Sequence, residues 1–202
     1  CRVRCSSRSC SALLAALAKA ASPDEALNGI IQLARIDKSK VKKLLAKEDS
    51  AERLAKLVGA STALNDFLAR TPENLAMFEK AVSVLPNREQ YDELFSKALA
   101  SVRQKEFNSQ ELVSTLRITY RTELLRIAIF DLAQADPQLG QPRVSLALAD
   151  LAGAALEAGL FVARKELVET TDFGTYSPDE VSATKLTVIG MGKGGAGELN
   201  YI

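Results

Sequence analysis

Lys185–Tyr201 reads KLTVIGMGKGGAGELNY. Leu186, Val188 and Ile189 form a short apolar run rich in β-branched residues, which predicts a buried strand over 185–190. Five glycines follow within eight positions: Gly190, Gly192, Gly194, Gly195 and Gly197. Glycines directly after a strand let the backbone turn sharply and approach a ligand. Exposed amides in such a turn suit phosphate oxygens, and Lys193 adds a positive charge. A short helical turn is expected at 197–200. By itself a glycine-rich turn is as often structural as ligand-binding. The P-loop pattern fails, because Lys193 is followed by Gly194 rather than Ser or Thr. The dinucleotide fingerprint fits Gly190, Gly192 and Gly195, but its confirming context is an acidic residue about twenty positions on, and the sequence ends before that position.

Upstream the pattern is helical, and residues 11–165 are expected to be almost wholly α-helix. Start signals recur at Ser22 (followed by Pro23, Asp24 and Glu25), Ser50, Ser61 and Thr71-Pro72. Gly59 is the expected stop of the helix opened by Ser50. Residues 109–134 predict one long helix, with Leu112, Leu116, Tyr120, Ile127 and Phe130 mostly inward and Arg117, Arg121 and Arg126 mostly outward. Those arginines read as a solvated face paired with Glu123 at helical spacing. Asp136-Pro137 through Gln141-Pro142 predicts a loop, and Val144–Ala163 a further helix. That helix could span a bilayer by length, but Asp150 and Glu157 inside it argue for burial in a soluble bundle. Gly153 and Gly159 suggest close helix packing there. The expected organisation is a lead-in over 1–10, a helical region over 11–168, a linker over 169–184 and an α/β start over 185–202.

The chain has 202 residues, 47% hydrophobic and 25% charged, with a formal net charge of +1, which provides no field to hold nucleic acid or an anionic membrane. Histidine is absent, so Ser-His and Cys-His nucleophiles and histidine metal ligands are excluded. Cys1, Cys5 and Cys10 are the only cysteines, an odd number confined to an Arg/Ser-rich start that reads as a poorly ordered lead-in. A body without cysteine fits a reducing cytoplasm. Asp24-Glu25, Asp92-Glu93 and Asp179-Glu180 are adjacent pairs whose side chains diverge, so they read as capping and surface groups.

VIGMGKGGAGELNY resembles the signature of the glutamine synthetase adenylyltransferase/adenylyl-removing family, in which a Gly-Met-Gly-Lys turn leads through Glu-Leu-Asn-Tyr into Ser-Asp-x-Asp. The match covers Gly190, Met191, Gly192, Lys193, Gly195, Glu198, Leu199, Asn200 and Tyr201. It departs at Gly194, where the family more often has Leu or Cys, and at Gly197, where Arg is common. Three upstream stretches, LVGASTALNDFLARTPENL (57–75), LRITYRTELLRIAIFDLAQ (116–134) and VSLALADLAGAALEAGL (144–160), resemble family segments in the same order.

The resemblance implies a mainly α chain: a helical bundle, then the first strand and Gly-rich turn of a polymerase-β-like nucleotidyltransferase domain. It implies nucleotide and phosphate contacts from Gly190, Gly192, Lys193, Gly195, Glu198 and Asn200. The metal-binding carboxylates would lie beyond Ile202, making this a truncated piece without catalytic or metal-binding residues of its own. The full-length enzyme would use Mg²⁺, with ATP, ADP and phosphate as substrates or products, and would act on glutamine synthetase under a PII nitrogen-signalling protein. The Glu-Leu-Asn-Tyr ending resembles the adenylyl-removing half rather than the half that attaches AMP. Alternatives are a non-catalytic helical module that docks glutamine synthetase or PII, and a different nucleotidyltransferase sharing only the strand and glycine turn.

Overall fold

The computed structural model describes residues 7–102, 107–170 and 174–201. Most of the lead-in, residues 1–6, and part of the linker, residues 171–173, lie outside the described residues. The chain is mainly helical. It divides into two compact units, one from residues 1–84 with 128–137 and the other from residues 85–127 with 138–202.

The first unit contains α1 (Ser7–Ala18), α2 (Pro23–Ile36), α3 (Lys38–Leu45), α4 (Glu48–Ala60), α5 (Thr62–Arg70) and a 3₁₀ helix (Pro72–Glu79). Helix α4 is its centre: α1, α2, α3, α5 and the 3₁₀ helix all pack on it. Leu54, Leu57 and Val58 of α4 are buried with Ile30 and Leu33 of α2, Phe67 and Leu68 of α5, and Leu75 and Phe78. Each fully buried Leu or Phe contributes roughly 1.5–3 kcal/mol relative to exposure.

The caps explain which serines start helices. Ser22 accepts from the Glu25 amide and Ser61 from the Leu64 amide, as their positions imply. Ser50 does not start a helix. It lies inside α4, buried, where its hydroxyl donates to the carbonyls of Leu44 (2.7 Å) and Lys47 (3.1 Å) and closes the α3–α4 turn. Thr71 opens a 3₁₀ helix rather than an α-helix, and its hydroxyl donates back to the Phe67 carbonyl at 2.8 Å. Arg53 donates to the Phe78 carbonyl at 2.8 and 3.2 Å, so the 3₁₀ segment is held from α4. Gly59 is not a stop either. It sits within α4, where a Cβ would meet the Ser22 carbonyl oxygen at 2.9 Å, so the residue permits close approach.

The second unit contains α6 (Arg88–Ala100), most of α7 (Ser109–Leu132) and α8 (Pro137–Glu169), with α9 (Pro178–Ala183) and α10 (Gly192–Ala196). Asn87 and Gln90 form a reciprocal capping box on α6, and Ser177 and Glu180 another on α9, inside the expected linker. Of the expected loop at 136–142, residues 137–142 are helical. Pro137 takes the first position of α8, where a missing amide costs nothing, and Pro142 follows early in the helix. Val144, Ala147, Leu148, Leu151, Ala154, Ala158 and Val162 are buried at three- and four-residue spacing. Helix α8 is long and apolar enough to cross a membrane, as the core helix of a packed bundle can also be. Gly153 lies under the Arg88 guanidinium, whereas a Cβ at Gly159 would touch nothing, so only the first glycine serves packing.

The expected strand over 185–190 is not formed. No β-strand occurs among the described residues, and 184–191 runs without a ladder. Leu186, Val188 and Ile189 are 60%, 58% and 78% exposed. The physical reason is that a strand needs a neighbouring strand to satisfy its amides and cover its side chains, and none lies beside it among these residues.

Candidate functional site

The six residues singled out by the sequence lie in one stretch, 190–200. Gly190 precedes α10, and Gly192, Lys193 and Gly195 form part of that five-residue helix rather than an open loop. The helical turn thus falls earlier than expected, at 192–196 instead of 197–200, because Gly197 ends it. Gly197 has φ +71°, and the Glu198 amide donates to the Lys193 carbonyl at 2.8 Å, a Schellman ending. Gly192 also lies in the left-handed region, at φ +57°, which side chains adopt only with strain.

The structure brings Gly190 and Gly195 together: a Cβ at 195 would collide with the Gly190 carbonyl oxygen. A Cβ at Gly194 would meet open space. Lys193, Glu198 and Asn200 are exposed, and Lys193 makes no ion pair among the described residues. The first amides of α10 have no intrahelical acceptor. The stretch can therefore offer N–H groups and one ammonium to an anion. Its one carboxylate is that of Glu198. No cluster of three or more acidic or thiol side chains able to hold a metal occurs among the described residues.

A second polar arrangement, in the second unit, was not singled out by the sequence. Arg88 Nε bonds both carboxylate oxygens of Asp92, at 3.0 and 3.1 Å. Burial raises the Asp150 carboxyl above its ordinary pKa, an effect opposed by the Arg88 charge and main-chain amide. Glu123 is buried and pairs with Arg126 at 2.9 Å, as helical spacing implied. The Tyr91 hydroxyl is buried without a hydrogen-bond partner among the described residues. Its pKa is pushed well above that of free tyrosine, first by burial and then by the Glu123 charge. Arg88 and Asp92 also line a cleft of about 560 Å³ with Phe95, Leu99, Ala158 and Phe161. Only the Arg88/Asp92 spacing could have signalled this arrangement, and i,i+4 ion pairs are too common to mark a site.

The family model for glutamate-ammonia ligase adenylyltransferase matches residues 51–202. A bifunctional glutamine synthetase adenylyltransferase/adenylyl-removing enzyme from Leifsonia xyli is 39% identical over 191 residues, covering 94% of this chain and 19% of the relative. Enzymes of the same name from Bifidobacterium longum and Mycolicibacterium smegmatis are 34% and 35% identical, covering 96% and 94% of this chain and 18% of each relative. The chain thus spans less than a fifth of the length of these relatives. No solved structure matches it. The match of the family model over most of the chain shows that this protein belongs to the glutamate-ammonia ligase adenylyltransferase family.

Proposed function

We propose that this chain belongs to the adenylyl-removing half of a bifunctional enzyme that controls glutamine synthetase by reversible adenylylation of a tyrosine. The observation that carries this is the 190–201 stretch, GMGKGGAGELNY, with its tight Gly190–Gly195 contact and exposed Lys193. The helical units would precede a polymerase-β-like domain that begins at residue 185. In that domain Leu186, Val188 and Ile189 would pair with neighbouring strands and lose their exposure. Gly190, Gly192, Lys193 and Gly195 would receive phosphate oxygens of the nucleotide or of inorganic phosphate, with Glu198 and Asn200 holding the turn beside it. An amide-lined turn binds such anions in place, and positioning with charge stabilisation is most of what phosphoryl-type transfer asks of a protein. The carboxylates that hold Mg²⁺ would follow Ile202, and ADP would be the released product. The setting is the cytoplasm, with PII as a regulatory partner. The 202-residue chain alone is then inactive.

The test uses the parent protein. Its sequence past Ile202 should read Ser-Asp-x-Asp, and a chain extended through the following strands should release AMP from adenylylated glutamine synthetase as ADP when phosphate and Mg²⁺ are supplied. AMP release by the 202 residues alone would show that the catalytic groups lie elsewhere.

A further inference from the structure

Helix α8 and the glycine turn are joined at two points within the second unit. Arg164 Nη2 donates to the Thr184 carbonyl at 3.1 Å, where the non-helical run 184–191 begins. At the other end Leu146 lies against Gly197, the left-handed residue that closes α10: a Cβ there would stand 3.5 Å from Leu146 Cδ1. Leu146 and Arg164 are eighteen residues apart in one helix, about five turns, so they share a face of α8 and stand roughly 27 Å apart along its axis. Residue 184 thus meets the later part of α8 and residue 197 the earlier part. Thr184 and Met191 both have extended backbone. Even fully extended, 184–191 covers roughly 23 Å, and the single turn of α10 adds about 7 Å. A segment pinned at both ends over that span has little slack. Leu186, Val188 and Ile189 lie between the pins and remain exposed.

We propose that α8 is the strut that places the phosphate-binding turn, with Arg164 and Leu146 as positioning residues for the phosphate that the turn receives. This rests on the function proposed above. The two side chains act through the backbone at 184 and 197, so their effect falls on where the amides of 190–195 stand. Hydrogen bonds to phosphate oxygens weaken steeply with distance and angle, and a misplacement of about 1 Å can cost on the order of a hundredfold in rate. Neither side chain belongs to the core: Leu146 is 54% exposed, and the Arg164 bond lies at the surface. Substitutions at such positions change global stability little, which separates a positioning role from a structural one.

Two measurements test it. In the 202-residue chain, amide exchange is followed by NMR at Glu198, whose N–H closes α10 on the Lys193 carbonyl. L146A should speed that exchange about fivefold or more and R164A about twofold, with the melting temperature unchanged. L146M, which keeps the volume, and R164K, which keeps a donor, should stay near wild type. Wild-type exchange in L146A overturns the proposal. In the parent enzyme, inorganic phosphate is titrated against saturating adenylylated glutamine synthetase. L146A and R164A should each raise KM for phosphate about fivefold or more and leave KM for the adenylylated protein unaltered. An unaltered phosphate KM, or equal rises in both KM values with a lowered melting temperature, also overturns it. A parent enzyme that removes no AMP at all counts against the proposed function alone, and the exchange at Glu198 then decides whether α8 holds the turn.

Discussion

Gly59 of α4 lies against the carbonyl of Ser22, the cap of α2, so closely that a Cβ would sit 2.9 Å from the oxygen and 3.0 Å from the Ala20 Cβ. Gly159 of α8 has the opposite setting, with nothing within 4 Å of the same position. The two glycines therefore predict opposite signs for one substitution. Helix propensity favours alanine over glycine by about 1 kcal/mol. At Gly159 that gain stands alone, so G159A should stabilise the protein by roughly 0.5–1 kcal/mol. At Gly59 a backbone carbonyl must move, which costs about 1–3 kcal/mol, so G59A should be neutral to destabilising and G59V clearly destabilising. Urea denaturation midpoints decide it, and a stabilising G59A would refute the packing assignment.

Glu123 is 2% exposed and pairs with Arg126 Nε at 2.9 Å. Removing the arginine leaves a buried carboxylate uncompensated, whereas neutralising the carboxylate does not. R126A should cost about 3 kcal/mol, and E123Q distinctly less. Equal losses in denaturant melts would mean that the pair is solvated in solution.

Asp150 gives a pH signature of its own. Burial raises its folded pKa above the ordinary value of 3.8, so the unfolded chain loses the proton first. Its ionised form therefore destabilises the fold at neutral pH, and the penalty fades as pH falls through the raised pKa toward 3.8. D150N keeps an acceptor for the Arg88 amide and should be more stable than wild type at pH 7, with the advantage vanishing below about pH 4. Glu52 acts the other way. Hydrogen bonds from Lys19 and Lys56 lower its pKa, so its stabilisation is present above the ordinary 4.5 and is lost as pH falls through the lowered value. E52Q should flatten that part of the acid limb. Thermal melts from pH 3 to pH 7 of the two variants should diverge in opposite directions from wild type.

Within the 190–197 turn the glycines are not equivalent. G195A would drive a methyl into the Gly190 carbonyl, and a β-branched residue at Gly192 would be strained at φ +57°, whereas Gly194 faces open space. In the extended, active parent protein G195A and G192V should reduce AMP release at least tenfold while G194A leaves it nearly unchanged. A large loss in G194A with G195A active would mean that the turn adopts another conformation when nucleotide binds.

Helix capping is a smaller, cleaner test. S22A and S61A each remove an acceptor from a first-turn amide and should cost about 1 kcal/mol. S50A removes no cap but leaves the carbonyls of Leu44 and Lys47 without the buried hydroxyl, and should cost as much or more, about 1–3 kcal/mol. A negligible effect of S50A on the denaturation midpoint would contradict the turn-closing role.

Local information in the sequence was sufficient for the helices, because a cap, a 3.6-residue apolar period and a proline at the first position act within a few residues of one another. Ser22, Ser61 and the α7 stripe were legible for that reason, and so was the Glu123–Arg126 pair. The family motif at 190–201 was legible as a pattern of residue types. Ser50, Gly59, Pro142 and the segment 185–190 were not. A serine before an apolar run can cap its own helix or tie down the preceding turn, and only the position of α3 makes Ser50 do the second. A glycine can end a helix or let another chain segment approach, and only the nearness of Ser22 assigns Gly59 to packing. An apolar, β-branched run becomes a strand when another strand lies beside it, a condition set by tertiary pairing and not by the run itself. The same holds for the Gly190–Gly195 contact, since the order of glycines shows where the backbone can bend but not which two will touch.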